Sequence, residues 1–225
     1  MTPKALLAEF LGVFTMCFAA IGSIAASQGE GMAVALAPGL AVGLLVLALG
    51  TISGAHFNPA VTFAMLITGR ISPLEALGYT VAQLLGGLVA AFFIGALYGG
   101  NAVAEGTPAP GSGHSVVQAL MMEVFLTLFL VAVIFGSAVH NRFSFAGLAI
   151  GLAVTMGILI GGPVSGAAMN PARVLGPALI GGEWAAHWVY WVGPLVGAGL
   201  AALLYDYLYS QEIRQPQPAP AEGEG

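Results

Sequence analysis

Ser53-Gly54-Ala55-His56-Phe57-Asn58-Pro59-Ala60-Val61 is answered 112 residues further on by Ser165-Gly166-Ala167-Ala168-Met169-Asn170-Pro171-Ala172-Arg173, with six of the nine positions identical. A repeat of this kind has to be settled before single residues are read, because it fixes the architecture they must fit. The offset persists outside the two strings: Glu9 and Glu123 lie 114 apart, and Tyr79 and Tyr190 lie 111 apart. The chain thus reads as one pattern written twice, over about 1–110 and about 115–209.

The composition says where such a chain lives. Of its 225 residues 58% are hydrophobic and 7% charged, and the mean hydropathy is +0.93. A soluble domain carries about 25% charged residues, so this one has too little polar surface for water and lipid must surround it. Nucleic acid is excluded as a partner, since five scattered Lys and Arg cannot neutralise a run of phosphates. Cys17, the single cysteine, can form no bridge within the chain and reads as a small buried hydrophobe.

Crossing a bilayer core of about 30 Å takes roughly 20 apolar helical residues. Six stretches qualify, near 5–27, 32–52, 74–100, 115–139, 144–163 and 184–209. Three spans per repeat is an odd number, so the second copy enters from the opposite side and the halves are inverted, as in channels and transporters whose site lies at the repeat interface. Glu9 inside the first apolar run argues against a cleavable signal peptide. Lys4, Arg70, Arg142 and Arg214 all fall on one side of this topology, which predicts cytoplasmic termini and a plasma (inner) membrane location. Residues 1–209 read as a single channel domain. The Pro-, Glu- and Gly-rich stretch 210–225 reads as a disordered cytoplasmic tail.

Two connections, 58–68 and 170–180, are too long for turns and too apolar for water-exposed loops. Each opens Asn-Pro-Ala, with Asn suited to the N-cap and Pro to the first helical position, which predicts a half-length helix. The fold class is therefore all-α and membrane-spanning: six transmembrane helices plus two re-entrant half-helices in an inverted three-plus-three repeat. Irregular backbone at membrane depth is tolerated only where it lines a cavity or is buried in protein, so the half-helices imply a central pore. Their facing N-termini would place about half a positive elementary charge each beside the pore axis, repelling cations and protons. Upstream, 53–57 and 165–169 are expected to be non-helical strings whose carbonyls form a polar stripe.

Two Asn-Pro-Ala motifs in an inverted repeat, the second followed by Arg173, with a glutamate early in each half, resemble the aquaporin or major intrinsic protein family over about residues 5–209. That resemblance implies a passive channel for water or small uncharged solutes, assembled as a homotetramer, with no cofactor and no metal. It assigns the pore motifs to Asn58, Pro59, Ala60, Asn170, Pro171 and Ala172. Counting from these places the constriction at Pro38, Ile158, Ala167 and Arg173, and the resemblance gives Glu9 and Glu123 a loop-bracing role. Water-selective relatives usually carry Phe and His where Pro38 and Ile158 stand here, so a wider, more apolar constriction is expected. Small residues with one Arg also resemble nodulin-26-like members, some of which pass metalloid hydroxides. Glycerol, urea, ammonia and such hydroxides join water as candidate solutes; a strictly water-selective channel is the alternative.

Other readings of single residues are plainer. His56, beside the first motif, is read as ordering its loop rather than as a gate. His114, His140 and His187 have no metal-site spacing. Glycine pairs such as Gly39/Gly43 and Gly147/Gly151 read as close helix contacts. Trp184, Trp188 and Trp191 read as an interfacial belt. A coupled transporter would call for a midplane carboxylate where the half-helices carry Asn and Pro, and an enzyme for a nucleophile with a paired base. Neither pattern is present in the sequence.

Overall fold

The computed structural model describes residues 1–27 and 31–210, the side chain of Ser210 excepted. Helices α1 (Pro3–Ser27), α2 (Ala33–Ser53), α3 (Pro59–Ile67) and α4 (Pro73–Tyr98) form the first repeat. After α5 (Gly100–Glu105), the second repeat follows as α6 (Val116–Ile134), α7 (Ala146–Ser165), α8 (Pro171–Gly181) and α9 (Val189–Ser210). A π-helical segment, Phe135–His140, prolongs α6. Six of these are long and apolar enough to cross a membrane, and among the described residues there is no strand.

The packing repeats with the sequence. In the first half α1 lies on α2 and α4; in the second α6 lies on α7 and α9. A glycine enables each close crossing: a Cβ on Gly86 would strike the Phe10 carbonyl, and one on Gly197 the Val124 carbonyl. The halves meet along α2 and α7, where Gly39 and Gly151, equivalent by the 112-residue offset, face each other backbone to backbone. The half-helices cross over: α3 packs on α9 of the other repeat, and α8 on α4.

Local chemistry sets the boundaries. Ser72 and Ser115 begin α4 and α6 with capping boxes closed by Glu75 and Gln118. Two expectations shift. The third span stops at Tyr98 because Gly99 turns to φ 91°, and the connection read as a plain loop opens with α5. The last span begins at Val189 rather than near 184: Gly182 ends α8 at φ 77°, and Ala186 at φ 48° turns the chain again before α9. Trp184 and Trp188 therefore sit in a connecting turn, both about half exposed. The N-terminal amine bound to Glu75 (2.7 Å) and the Arg70–Asp206 pair (2.7 Å) gather at one end of the bundle with the π-helical segment. The stretch expected to be a disordered tail lies, beyond Ser210, outside the described residues.

Candidate functional site

Asn58 and Asn170 stand in extended conformation at the heads of α3 and α8, and each folds its side-chain oxygen back onto the helix. Asn58 Oδ1 accepts from the Ala60 amide at 2.8 Å, and Asn170 Oδ1 from the Ala172 amide at 3.0 Å. Their amide nitrogens then cross to the other repeat. Asn58 Nδ2 donates to the Met169 carbonyl at 2.7 Å and Asn170 Nδ2 to the Phe57 carbonyl at 2.8 Å. An NH₂ group has two hydrogens, so one holds the two half-helix heads together while the second meets no protein acceptor among the described residues. The sequence suggested the donors but not this reciprocal clasp.

The strings ahead of the motifs are strained. Ala55 and Phe57 in the first, Ala167 and Met169 in the second, have φ between 46° and 53°, a left-handed conformation costing about 1–2 kcal/mol per residue with a Cβ. Buried carboxylates hold them there. Glu9 Oε1 accepts from Ser53 Oγ (2.6 Å) and the His56 amide (3.0 Å), and its Oε2 from the Phe57 amide (2.7 Å). Glu123 repeats the arrangement with Ser165 Oγ (2.7 Å), the Ala168 amide (2.9 Å) and the Met169 amide (2.7 Å). Tyr79 and Tyr190 hydroxyls each donate at 2.8 Å to the carbonyls of Ser53 and Ser165. With the amides turned toward the glutamates, the carbonyls of Gly54, Ala55 and His56, and of Gly166, Ala167 and Ala168, meet no protein donor among the described residues.

Three polar residues of the first repeat have no polar counterpart in the second. His56 Nδ1 lies 3.1 Å from Thr62 Oγ1, and Gln83 Nε2 donates to both Thr62 Oγ1 (2.9 Å) and Glu9 Oε2 (2.7 Å). The second repeat has Ala168, Val174 and Pro194 in the equivalent places. Gln83 and Thr62 were missed in the sequence; comparing the two halves for polar residues facing apolar equivalents would have found them.

Two cavities flank the clasp. The inner one, about 40 Å³, is walled by aliphatic side chains such as Val42, Val46 and Ile150 on one side and by His56, Asn58 and Asn170 on the other. The outer one, about 490 Å³, is bordered by Pro38, Ile158, Ala167 and Arg173 together, the four positions obtained by counting. Arg173 is 7% exposed, and its Nη1 donates at 2.8 Å to the carbonyl of Gly106, just past α5. That partner was not foreseen, because α5 itself was not. Glu105, which the sequence reading passed over, borders the same cavity. Among the described residues no cluster of His, Cys, Asp or Glu could hold a metal ion.

The pattern described as Major intrinsic protein matches residues 1–205. Among curated relatives, the probable aquaporin TIP3-2 of Arabidopsis thaliana is 43% identical, covering 95% of this chain and 86% of its own length. Aquaporin NIP1-1 of Oryza sativa subsp. japonica is 42% identical over 90% of this chain and 73% of its own. The solved aquaglyceroporin of Plasmodium falciparum superposes with a TM-score of 0.82 at 27% identity, covering 93% of this chain and 98% of that one.

Proposed function

Since the chain belongs to the major intrinsic protein family and is thereby a multi-pass membrane channel passing water and small solutes without coupling, we propose a single conduction path that runs through the two cavities past Asn58 and Asn170. Pro38, Ile158, Ala167 and Arg173 form its outer filter. Pro59, Ala60, Pro171 and Ala172 start the half-helices whose N-terminal dipoles oppose cations and protons at the midplane. Glu9 and Glu123 brace the carbonyl strings, and His56 helps order the first of them through Thr62. One unit spans 1–209, works as a homotetramer in the plasma (inner) membrane with both termini cytoplasmic, and catalyses no reaction.

One observation supports a solute range broader than water: the only charged side chain among the four filter positions is Arg173, and the others bring no aromatic ring and no side-chain donor to an outer cavity of about 490 Å³. An apolar pocket rejects an added hydroxyl by only about a hundredfold, too little to exclude a small polyol. Glycerol, urea, ammonia and metalloid hydroxides are therefore passed with water. The water-selective reading draws on the inner cavity of about 40 Å³, room for only a few waters at roughly 10–15 Å³ each.

Stopped-flow light scattering on reconstituted liposomes separates the two, with water, glycerol and arsenous acid gradients set against empty liposomes. Fast glycerol or arsenous acid entry is expected. Water flux with both solutes excluded would establish the narrow channel instead.

A further inference from the structure

Among the described residues the Arg173 side chain has one hydrogen-bond partner, the Gly106 carbonyl at 2.8 Å. Where that oxygen sits is decided by α5, the short helix it follows. Val103 of α5 is buried with Ile21 of α1 and with Ala91 and Ile94 of α4. Gly106 lies so close to Ile21 that a Cβ on it would strike that side chain, and Gly181, the last residue of α8, passes the Ala104 backbone as closely. Three helices thus seat α5, and α8 touches this seat both through Arg173 and at its far end.

One peptide plane carries the arginine's partner. The carbonyl of Gly106 and the amide of Thr107 share it, so neither can turn without the other. The Thr107 amide donates to the Ala104 carbonyl at 3.0 Å, and the Thr107 hydroxyl donates to the Val103 carbonyl, also at 3.0 Å. That hydroxyl satisfies a carbonyl which the end of a helix otherwise leaves open. With glycine at 106 the backbone has little stiffness of its own, and the second bond supplies it. Thr107 is buried and does not border the outer cavity, so it meets no solute. The same connection also reaches the string that carries Ala167: Pro108 packs on Gly166, and the Gly111 amide donates to the Val164 carbonyl at 3.0 Å.

We propose that Thr107 is a positioning residue for the outer filter: by closing the last turn of α5 it fixes the plane of the Gly106–Thr107 peptide, whose carbonyl aims the Arg173 guanidinium. The inference rests on the filter reading given above. An arginine held in one place discriminates between solutes by where its donors stand, and one that wanders discriminates less.

The test is stopped-flow light scattering on liposomes carrying the full-length channel, with water and glycerol permeability measured on the same preparation so that their ratio does not depend on how much channel is folded. Thr107→Val keeps the branched shape and loses the hydroxyl. It is expected to raise the glycerol-to-water ratio by about two- to fivefold, the worth of one hydrogen bond. Thr107→Ser should restore the wild-type ratio. In an Arg173→Val background Thr107→Val should add nothing to the ratio, because the residue acts only through the guanidinium. Where Thr107→Val does not fold, Thr107→Ala takes its place with the same expectations. An unchanged ratio in Thr107→Val beside a shifted one in Arg173→Val would overturn the proposal and leave the filter reading standing. An equal rise in both backgrounds, or no rescue by serine, would also overturn it, since either marks a general loosening of the fold. If Arg173→Val itself leaves the ratio unchanged, the filter reading falls first and takes the role of Thr107 with it.

Discussion

At the scale of the residue, the site is an exchange of buried hydrogen bonds between polar side chains and strained backbone. Glu123 is fully buried and satisfies three donors of the second string. Glu123→Gln turns an NH₂ toward one of them, and an unsatisfied buried donor costs about 1–3 kcal/mol. Thermal unfolding in detergent should register that loss, and water permeability per folded channel should fall as Ala167 and Met169 relax; an unchanged melting temperature would contradict the bracing role. In the proposed filter Arg173 supplies the fixed donors. Arg173→Val should leave the fold intact and raise glycerol and urea permeability relative to water by roughly tenfold, within the about 1–3 kcal/mol that one buried polar contact is worth. An unaltered solute ranking in stopped flow would place the discriminating contact elsewhere. The asparagines, the glutamates and the arginine were readable because each follows from a short local string or its repeat. Gln83 and Thr62 were not, since their meaning lies in contacts with His56 and Glu9 that only the folded bundle creates.

Among elements, glycine decides how closely helices approach. A Cβ on Gly151 would come within 2.5 Å of the Gly39 carbonyl oxygen, and backbone cannot yield as a side chain does. Gly151→Ala should therefore destabilise the α2–α7 crossing by about 1–3 kcal/mol, the usual range for an overpacked contact. Gly50→Ala, on the same α2 but facing open space, should instead stabilise by about 0.5–1 kcal/mol. Melting curves of the two variants should move in opposite directions, and movement together would deny the crossing its special role. Six spans and two half-helices were legible from hydropathy and from the Asn-Pro starts. What escaped was α5, six residues long and begun by the turn at Gly99, and the late start of α9, because a run of aromatic and small residues reads as membrane helix whether or not it turns.

Taken whole, the molecule presents apolar leucines along α2 and α7, among them Leu40, Leu44, Leu148 and Leu152, each more than half exposed. Lipid or a second subunit of the proposed homotetramer can cover them. Cross-linking in mild detergent should give a ladder ending at four subunits; a monomer alone would refute that assembly. The inverted duplication was legible as soon as the two nine-residue strings were aligned, but the order of dependence between the halves was not. The clasp supplies it, because Asn58 donates to the Met169 carbonyl and Asn170 to the Phe57 carbonyl. During synthesis the first loop must wait for a partner encoded 112 residues downstream, an interval of about 6–22 s at 5–20 residues per second. Through that interval the nascent chain has spans in the bilayer but an unfinished re-entrant loop, which gives quality-control proteases a window that closes only when the second half arrives.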